Sequence, residues 1–349
     1  MKHQIGVGLI GYGMAGRVFH APVITSLPAL RLKTVVERRG IASRERYPWV
    51  EVVTDAEALW ADEEIALVVV ATPNSSHFEL ARQALSAGKH VVVEKPFTDT
   101  SEQAQQLIDL AFERKRLISV HQNRRWDGDF LTVRQLLSAQ HLGRLVAYES
   151  RFDRFRNYRR PNAWREQEGV GNGILYDLGS HLIDQALVLF GLPQSVTADV
   201  RIQREWARAA DDFELTLHYE NLKVTLGAGM LAREPGARFS LHGTEGSFVK
   251  YGTDPQEDAL KHGRTPAEPD WGTEPEAMWG KLNTGLGGLH FTGRLETLPG
   301  SYQSYYQNIA GVIAGREELA VKPAEAKNTI RIIELALQSN EQKRTVSFD

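Results

Sequence analysis

Residues Ile5 to Phe19 read IGVGLIGYGMAGRVF: an apolar run, then glycines at Gly11, Gly13 and Gly16, then the opening of a helix. The G-x-G-x-x-G spacing closes a tight turn at its first glycine, admits a pyrophosphate against bare backbone at its second and packs helix on strand at its third. A diphosphate would sit on the free N–H groups of the helix start, so Gly11, Tyr12, Gly13, Met14, Ala15 and Gly16 form a candidate dinucleotide cradle. Such a triplet alone is weak, because glycine is common and Gly6 and Gly8 stand in the preceding run too. Context strengthens it. Val7, Leu9 and Ile10 supply a strand, and Arg31 to Glu37 (RLKTVVE) gives a second strand ending in an acid 21 residues after Gly16, near the spacing of a ribose contact. A purely structural turn is the competing reading.

From this stretch to about His121, short apolar runs alternate with helical stretches, which implies a parallel sheet with helices on both faces. The runs are Ile5 to Ile10, Leu32 to Val36, Val52 to Val53, Ala66 to Val70, His90 to Val93 and Leu117 to Val120. Six strands in that rhythm make a Rossmann domain, whose ligands lie outside the carboxyl ends of the strands. The residues there are Gly11 to Gly16, Glu37 to Arg39, Thr72 to His77, Glu94 to Phe97 and His121 to Trp126. Glu37 would accept a hydrogen bond from a free ribose hydroxyl and favour NAD, whereas Arg38 and Arg39 could pair with a 2′-phosphate and favour NADP. A carboxylate beside a phosphate is costly unless it turns away; on balance the two arginines favour NADP, with NAD left open. Lys95, within VVVEKPF, is delivered to the rim of the sheet by a buried strand, and Pro96 biases it toward extended geometry. That position makes Lys95 a catalytic candidate, solvated surface charge being the alternative.

At 349 residues the chain exceeds the size at which single cores usually divide, so two domains are expected, 1–122 and 123–349. A formal net charge of −3 offers no general pull toward nucleic acid or an anionic membrane. The absence of cysteine rules out disulfides and thiolate metal sites and fits a reducing, cytoplasmic compartment. Ile65 to Ala71, seven apolar residues, falls far short of the roughly 18 needed to span a bilayer. The first strand begins so early that a separate signal peptide is not expected.

After Trp126 the alternation breaks. A helix from about Asp129 to Ala139 leads to a strand over Leu145 to Phe155. Phe213, Leu215, Leu217 and Tyr219 alternate, Glu220 and Asn221 turn, and Leu222, Val224 and Leu226 alternate again, as in a hairpin; Phe239 to His242 and Ser247 to Lys250 make another. The second domain is therefore an α/β domain with a large, mostly antiparallel open sheet, one face of which needs cover that self-association would supply. Gly252 to Gly300 holds nine glycines and five prolines, which argues for one long irregular excursion, a lid or an interface arm. Helices over Tyr302 to Ala314 and Ala324 to Ser339 and a strand near Arg344 to Phe348 close the chain.

The second informative stretch is GNGILYDLGSHLIDQ, Gly171 to Gln185. A helix beginning near Asp177 puts Asp177, His181 and either Asp184 or Gln185 on one face, aligning a carboxylate with an imidazole. An N-cap for Asp177 and a satisfied core histidine for His181 compete with that reading. A metal site built on them lacks the H-E-x-x-H pattern and a further ligand, so none is expected. Arg151 to Arg165 interleaves six arginines with Phe152, Phe155, Tyr158 and Trp164. Such a mixture can bind single-stranded nucleic acid; the acidic balance of the chain argues instead for a stretch lying over cofactor phosphates or lining a polyol pocket.

Taken together, GLIGYGMAG, ATPNSSH, VVVEKPF, HQNRRWD, the Trp164-Arg165 pair and YDLGSHLID resemble the Gfo/Idh/MocA oxidoreductase family over nearly the whole chain and in the right order. Within it, HQNRRWDGDFLT, FRNYRRPNAWREQEG and VKYGTDPQEDALKHGRTP are most similar to the NADP-dependent scyllo-inositol dehydrogenases. The resemblance implies a Rossmann domain joined to an α/β domain whose open sheet mediates dimer or tetramer assembly. It makes Lys95, Asp177 and His181 catalytic. It assigns cofactor contacts to Thr72, Pro73, Asn74, His77, Glu94, Lys95, Asn123, Trp164 and Arg165, and substrate contacts to Lys95, Arg124, Tyr158, Asp177 and His181. The implied activity is hydride transfer between NAD(P) and a secondary alcohol of a polyol or sugar, with an inositol such as scyllo-inositol favoured; a sugar or keto-sugar reductase and a non-catalytic NAD(P)-binding regulator are the alternatives. One departure is the acid at Glu37, absent from scyllo-inositol relatives with a clear NADP preference.

Overall fold

A computed structural model describes residues 4–159, 166–167 and 169–348. The chain divides into two compact units, neither contiguous in sequence. The first holds 1–126, 255–272 and 301–327, the second 127–254, 273–300 and 328–349.

In the first unit, strands β1 (Ile5–Ile10), β2 (Leu30–Val36), β3 (Glu51–Val53), β4 (Ile65–Val70), β5 (His90–Val93) and β6 (Ile118–Val120) pair in parallel, in the order β3-β2-β1-β4-β5-β6. The strand order reverses between β1 and β4, and the carboxyl ends at that switch point are where such sheets take ligands. Leu67 to Val70 and Val91 to Val93 have no exposed surface. Strands covered on both faces have no solvent side, which is why they read as unbroken apolar runs. The returning segments complete this core: Leu260, Trp271, Tyr302, Tyr305, Tyr306 and Ile309 share one cluster with Val7, Leu9, Val18 and Ile24. Gln256 ties them in. Its Oε1 accepts from Trp271 Nε1 (3.0 Å) and from the Tyr302 backbone N–H (2.8 Å), and its Nε2 donates to the carbonyl of Trp126 (3.0 Å).

In the second unit a nine-stranded sheet contains β7 (Leu145–Arg151), β8 (Ser195–Arg201), β9 (Asp212–His218), β10 (Lys223–Gly229), β11 (Phe239–Gly243), β12 (Gly246–Lys250), β13 (Gly280–Leu286), β14 (Leu289–Leu295) and β15 (Val346–Ser347). The order is β14-β13-β12-β11-β7-β10-β9-β8-β15, antiparallel throughout except between β7 and β10. On β9, Phe213, Leu215 and Leu217 are buried while Glu214 and Thr216 face outward, the alternation of a sheet with one covered face. Helix Ser180–Phe190 packs on β10 over that face.

Two expectations are corrected here. Gly252 to Gly300 is not one irregular excursion: it carries the helix Gln256–Lys261 and the hairpin β13–β14. Its glycines serve turns and close packing. Gly287 and Gly288 take φ of 58° and 84°, the two left-handed positions of a tight two-residue hairpin turn, and a Cβ on Gly280 would lie 2.3 Å from the Phe248 ring. The strand expected over Leu145 to Phe155 ends at Arg151, and Phe155 keeps only a single bridge to Leu231. Among the described residues no helix is long and apolar enough to cross a membrane.

Candidate active site

Two of the three glycines of the turn are fixed by close packing, and the third borders open space. Gly11 takes φ +95°, and a Cβ there would lie 2.8 Å from the carbonyl of Ala71 at the end of β4. A Cβ on Gly16 would lie 2.1 Å from the carbonyl of Gly11, so only glycine lets the helix start close on the turn. Among the described residues, a Cβ on Gly13 would meet nothing within 4 Å. That open space beside exposed backbone suits a bound diphosphate. Burial, with Tyr47 next, pushes the Tyr12 phenol up to about 12, so it stays a neutral donor. The first helical turn, Ala15–His20, is a wide π turn closed by Ala21 N–H on the Gly16 carbonyl, and it ends on a fully buried His20.

Glu37, just past β2, is buried with its carboxylate turned back on the chain. Oε1 accepts from the Ser43 N–H (2.8 Å) and Oε2 from the Ala42 N–H (3.2 Å), so it caps the short helix Ala42–Arg46. Arg38 and Arg39 are exposed and line a surface cavity of about 430 Å³.

Past β4, Asn74 is buried with its amide on Asp99 (3.0 Å), and the Ser76 hydroxyl donates to that of Thr72 (2.7 Å). Pro73 is exposed. The buried His77 ring lies between two carbonyls, with Nδ1 2.9 Å from Pro96 and Nε2 2.9 Å from Thr72; burial lowers its pKa, and the neutral ring donates to one of the two. It braces the loop after β4 against the loop after β5. Lys95 is half-buried there, ahead of a cis bond to Pro96.

Glu94 belongs to a cluster that sequence reasoning does not assemble. Its Oε1 accepts from His20 Nε2 and from His121 Nδ1, both at 2.8 Å, and its Oε2 from the backbone N–H of Lys95 at 3.0 Å. His20 Nδ1 then accepts from the Tyr306 hydroxyl at 2.6 Å. Burial opposes ionisation of Glu94, yet donation from the two imidazoles holds its carboxyl well below the usual range. Burial first, and His121 second, push the His20 imidazole down to about 4. His20, Glu94 and His121 are also close enough to share one metal ion. Ligands bonded tetrahedrally at 2.0–2.1 Å would stand roughly 3.3 Å apart, however, and the 2.8 Å separations are those of hydrogen bonds.

Asn123 is buried, and so is Arg124, whose Nη2 pairs with Glu257 at 2.6 Å. The stretch after β6 is thus tied to the returning helix Gln256–Lys261. Within the second unit, helical structure begins at Leu175 rather than near Asp177. A π turn, Leu175–Gly179, passes into the helix Ser180–Phe190, so Asp177 lies inside the helical stretch and not at its cap. Asp177 is half-buried and His181 buried, four residues apart. Further along that helix the Gln185 carbonyl oxygen accepts from Arg238 Nη2 at 2.8 Å. Arg238 also donates to Ser150 Oγ, stacks on Phe152 and Phe239 and stands 3.6 Å from Asp129. Tyr158 is exposed; Trp164 and Arg165 lie outside the described residues.

A doubly wound sheet with this glycine turn defines a dinucleotide-binding protein. Its residues 5–122 match the profile described as "Oxidoreductase family, NAD-binding Rossmann fold" and residues 134–348 the one described as "Oxidoreductase family, C-terminal alpha/beta domain". The chain belongs to the Gfo/Idh/MocA oxidoreductase family. It is 42% identical over 345 residues, 99% of this chain and 96% of the other, to the scyllo-inositol 2-dehydrogenase (NADP(+)) of Bacillus subtilis strain 168. Among solved structures it resembles a putative oxidoreductase from Bacillus subtilis (42% identity, TM-score 0.96, covering 100% and 99% of the two chains) and one from Bacteroides fragilis (46% identity, TM-score 0.92, covering 99% and 100%).

Proposed function

We propose that the protein is an NADP-dependent dehydrogenase that oxidises a secondary alcohol of a ring polyol or sugar, an inositol such as scyllo-inositol, and reduces the ketone in reverse. The observation that carries the cofactor half is the orientation of Glu37. A carboxylate facing a 2′-phosphate would repel it; one with both oxygens on the N–H groups of Ala42 and Ser43 is turned away. Arg38 and Arg39 are then the groups left to pair with the phosphate. The likeness to an enzyme named for scyllo-inositol and NADP(+), across nearly all of both chains, supports the same cofactor and substrate class.

The backbone of Gly11 to Gly16 would hold the diphosphate, and Thr72 to His77 and Glu94 to Lys95 the nicotinamide half. Bound there, the cofactor accepts the hydride of the carbinol carbon. The protein then has to move the hydroxyl proton. His181, an imidazole one helical turn beyond a carboxylate, is the base, and Asp177 orients the ring or favours its protonated form. Lys95 donates to the substrate oxygen and stabilises the negative charge developing on it. Arg124 and Tyr158 are further substrate contacts in this reading. The face of the second sheet opposite helix Ser180–Phe190 is the surface for assembly into dimers or tetramers in this reading, and the lack of cysteine suits a cytoplasmic setting.

The purified protein is titrated with NADP and NAD and then incubated with a panel of inositols and sugars while reduced cofactor is followed by absorbance. Tighter binding of NADP and its reduction by at least one inositol are expected. A preference for NAD refutes the cofactor half, and tight binding without turnover in either direction refutes the enzyme.

A further inference from the structure

Of the cluster of His20, Glu94, His121 and Tyr306, only Glu94 has a role in the site assigned above, yet the cluster ends on the backbone N–H of Lys95. Its protons can be counted. A carboxylate only accepts, so His20 Nε2 and His121 Nδ1 must both carry hydrogen. Burial keeps the His20 ring neutral, so its Nδ1 is a lone pair that accepts from the Tyr306 hydroxyl at 2.6 Å. All these bonds are satisfied at once when His20 is neutral and Glu94 is ionised. The cluster therefore buries an ionised carboxylate that accepts from two imidazoles and a backbone amide. For bracing the loop alone an amide would do, without the cost of burying a charge.

The position of that charge gives it a use. In a sheet of this order each half takes one mononucleotide. The glycine turn and Glu37 to Arg39 mark the β1–β3 half for the adenosine side, which leaves the carboxyl ends of β4 to β6, and so Glu94, on the nicotinamide side. The nicotinamide ring is a cation when oxidised and neutral when reduced.

We infer that Glu94, kept anionic by His20 and His121, sets the affinity of the site for the redox state of its cofactor, favouring the oxidised over the reduced form. His20, His121 and Tyr306 are positioning residues in this device. The inference rests on the dehydrogenase reading and gives its site a direction, toward alcohol oxidation.

The test measures dissociation constants of NADP+ and NADPH, by calorimetry and by cofactor fluorescence, for the unsubstituted protein, Glu94→Gln and Tyr306→Phe. The unsubstituted protein binds NADP+ at least as tightly as NADPH. In Glu94→Gln the preference for the oxidised form falls about tenfold, as expected for one unit charge at an intermediate effective dielectric. Tyr306→Phe keeps the charge and leaves the ratio within about threefold. Equal weakening of both forms by Glu94→Gln would reduce the cluster to a brace and overturn the inference. So would an unsubstituted protein that binds NADPH tenfold more tightly than NADP+, a result that needs no variant to fold. If the protein binds NAD(H) and not NADP(H), the cofactor assignment fails and the same ratio is read with NAD+ and NADH; if it binds neither, the dehydrogenase reading itself fails.

Discussion

Replacing Glu37 by alanine separates two roles for an acid at the end of β2. As a ribose ligand it would select NAD, and its removal would raise the relative affinity for NADP by tenfold or more. In the structure it acts as a cap instead, with both oxygens on backbone N–H groups, Ser43 at 2.8 Å and Ala42 at 3.2 Å. Losing a helix cap of that kind costs about 1–2 kcal/mol. For a unit of this size that corresponds to a melting temperature lower by roughly 2–8 °C. The loop that presents Arg38 and Arg39 loses its anchor at the same time, so NADP affinity falls by up to about tenfold while NAD affinity does not improve. Thermal melts and titrations of NADP and NAD on Glu37→Ala and on the unsubstituted protein read all three quantities. An unchanged melting temperature together with a tenfold gain in NADP preference would refute the reasoning.

Other expectations follow from the same geometry. Arg38→Ala and Arg39→Ala each lower NADP affinity about 10- to 100-fold, seen by titration, and leave NAD binding within a few-fold. Lys95→Ala and His181→Ala each abolish turnover and keep cofactor affinity within a few-fold; retained activity in either removes that residue from the mechanism. Arg238→Ala leaves Gln185 and Asp129 facing a buried gap and destabilises the second unit by about 3–5 kcal/mol, read by denaturant titration. The buried imidazole of His20 has its pKa lowered from 6.5 to about 4 by burial and then His121. An unfolded chain takes up that proton first, so this contribution is complete above about pH 6.5 and is lost as pH falls toward 4. Glu94, depressed below 4.5, adds to the loss at the acid end. Melting temperature should therefore fall from pH 7 to pH 4, less steeply in His20→Gln.

Much of this was legible because strands buried on both faces must be apolar throughout. Six runs announced the parallel sheet, and a glycine turn tied the first of them to a function. The antiparallel half was legible through alternation on β9 and β10. The β13–β14 hairpin was not, although its Leu-Gly-Gly-Leu turn carried a usable signal, because the glycine density around it suggested irregular chain. Spacing placed Glu37 near a ribose but could not say which way its carboxylate turns, since that depends on two N–H groups five and six residues on. His121 stood at a position worth inspecting, at the end of β6, whereas His20 fell just past the stretch that carries the glycine turn. Nothing local tied them to Glu94, still less to Tyr306, which reaches His20 from 286 residues away. Such a cluster exists only once the sheet has brought separate strand ends together.

The central claim is transfer of a carbinol hydrogen to an NADP nicotinamide. It is tested by incubating the protein with NADP+ and scyllo-inositol carrying deuterium at its ring carbons, then weighing the reduced cofactor by mass spectrometry. The account predicts NADPH heavier by one deuterium, and none formed by Lys95→Ala. Bound cofactor that stays oxidised with this and every other inositol offered, or reduced cofactor without the label, would contradict it.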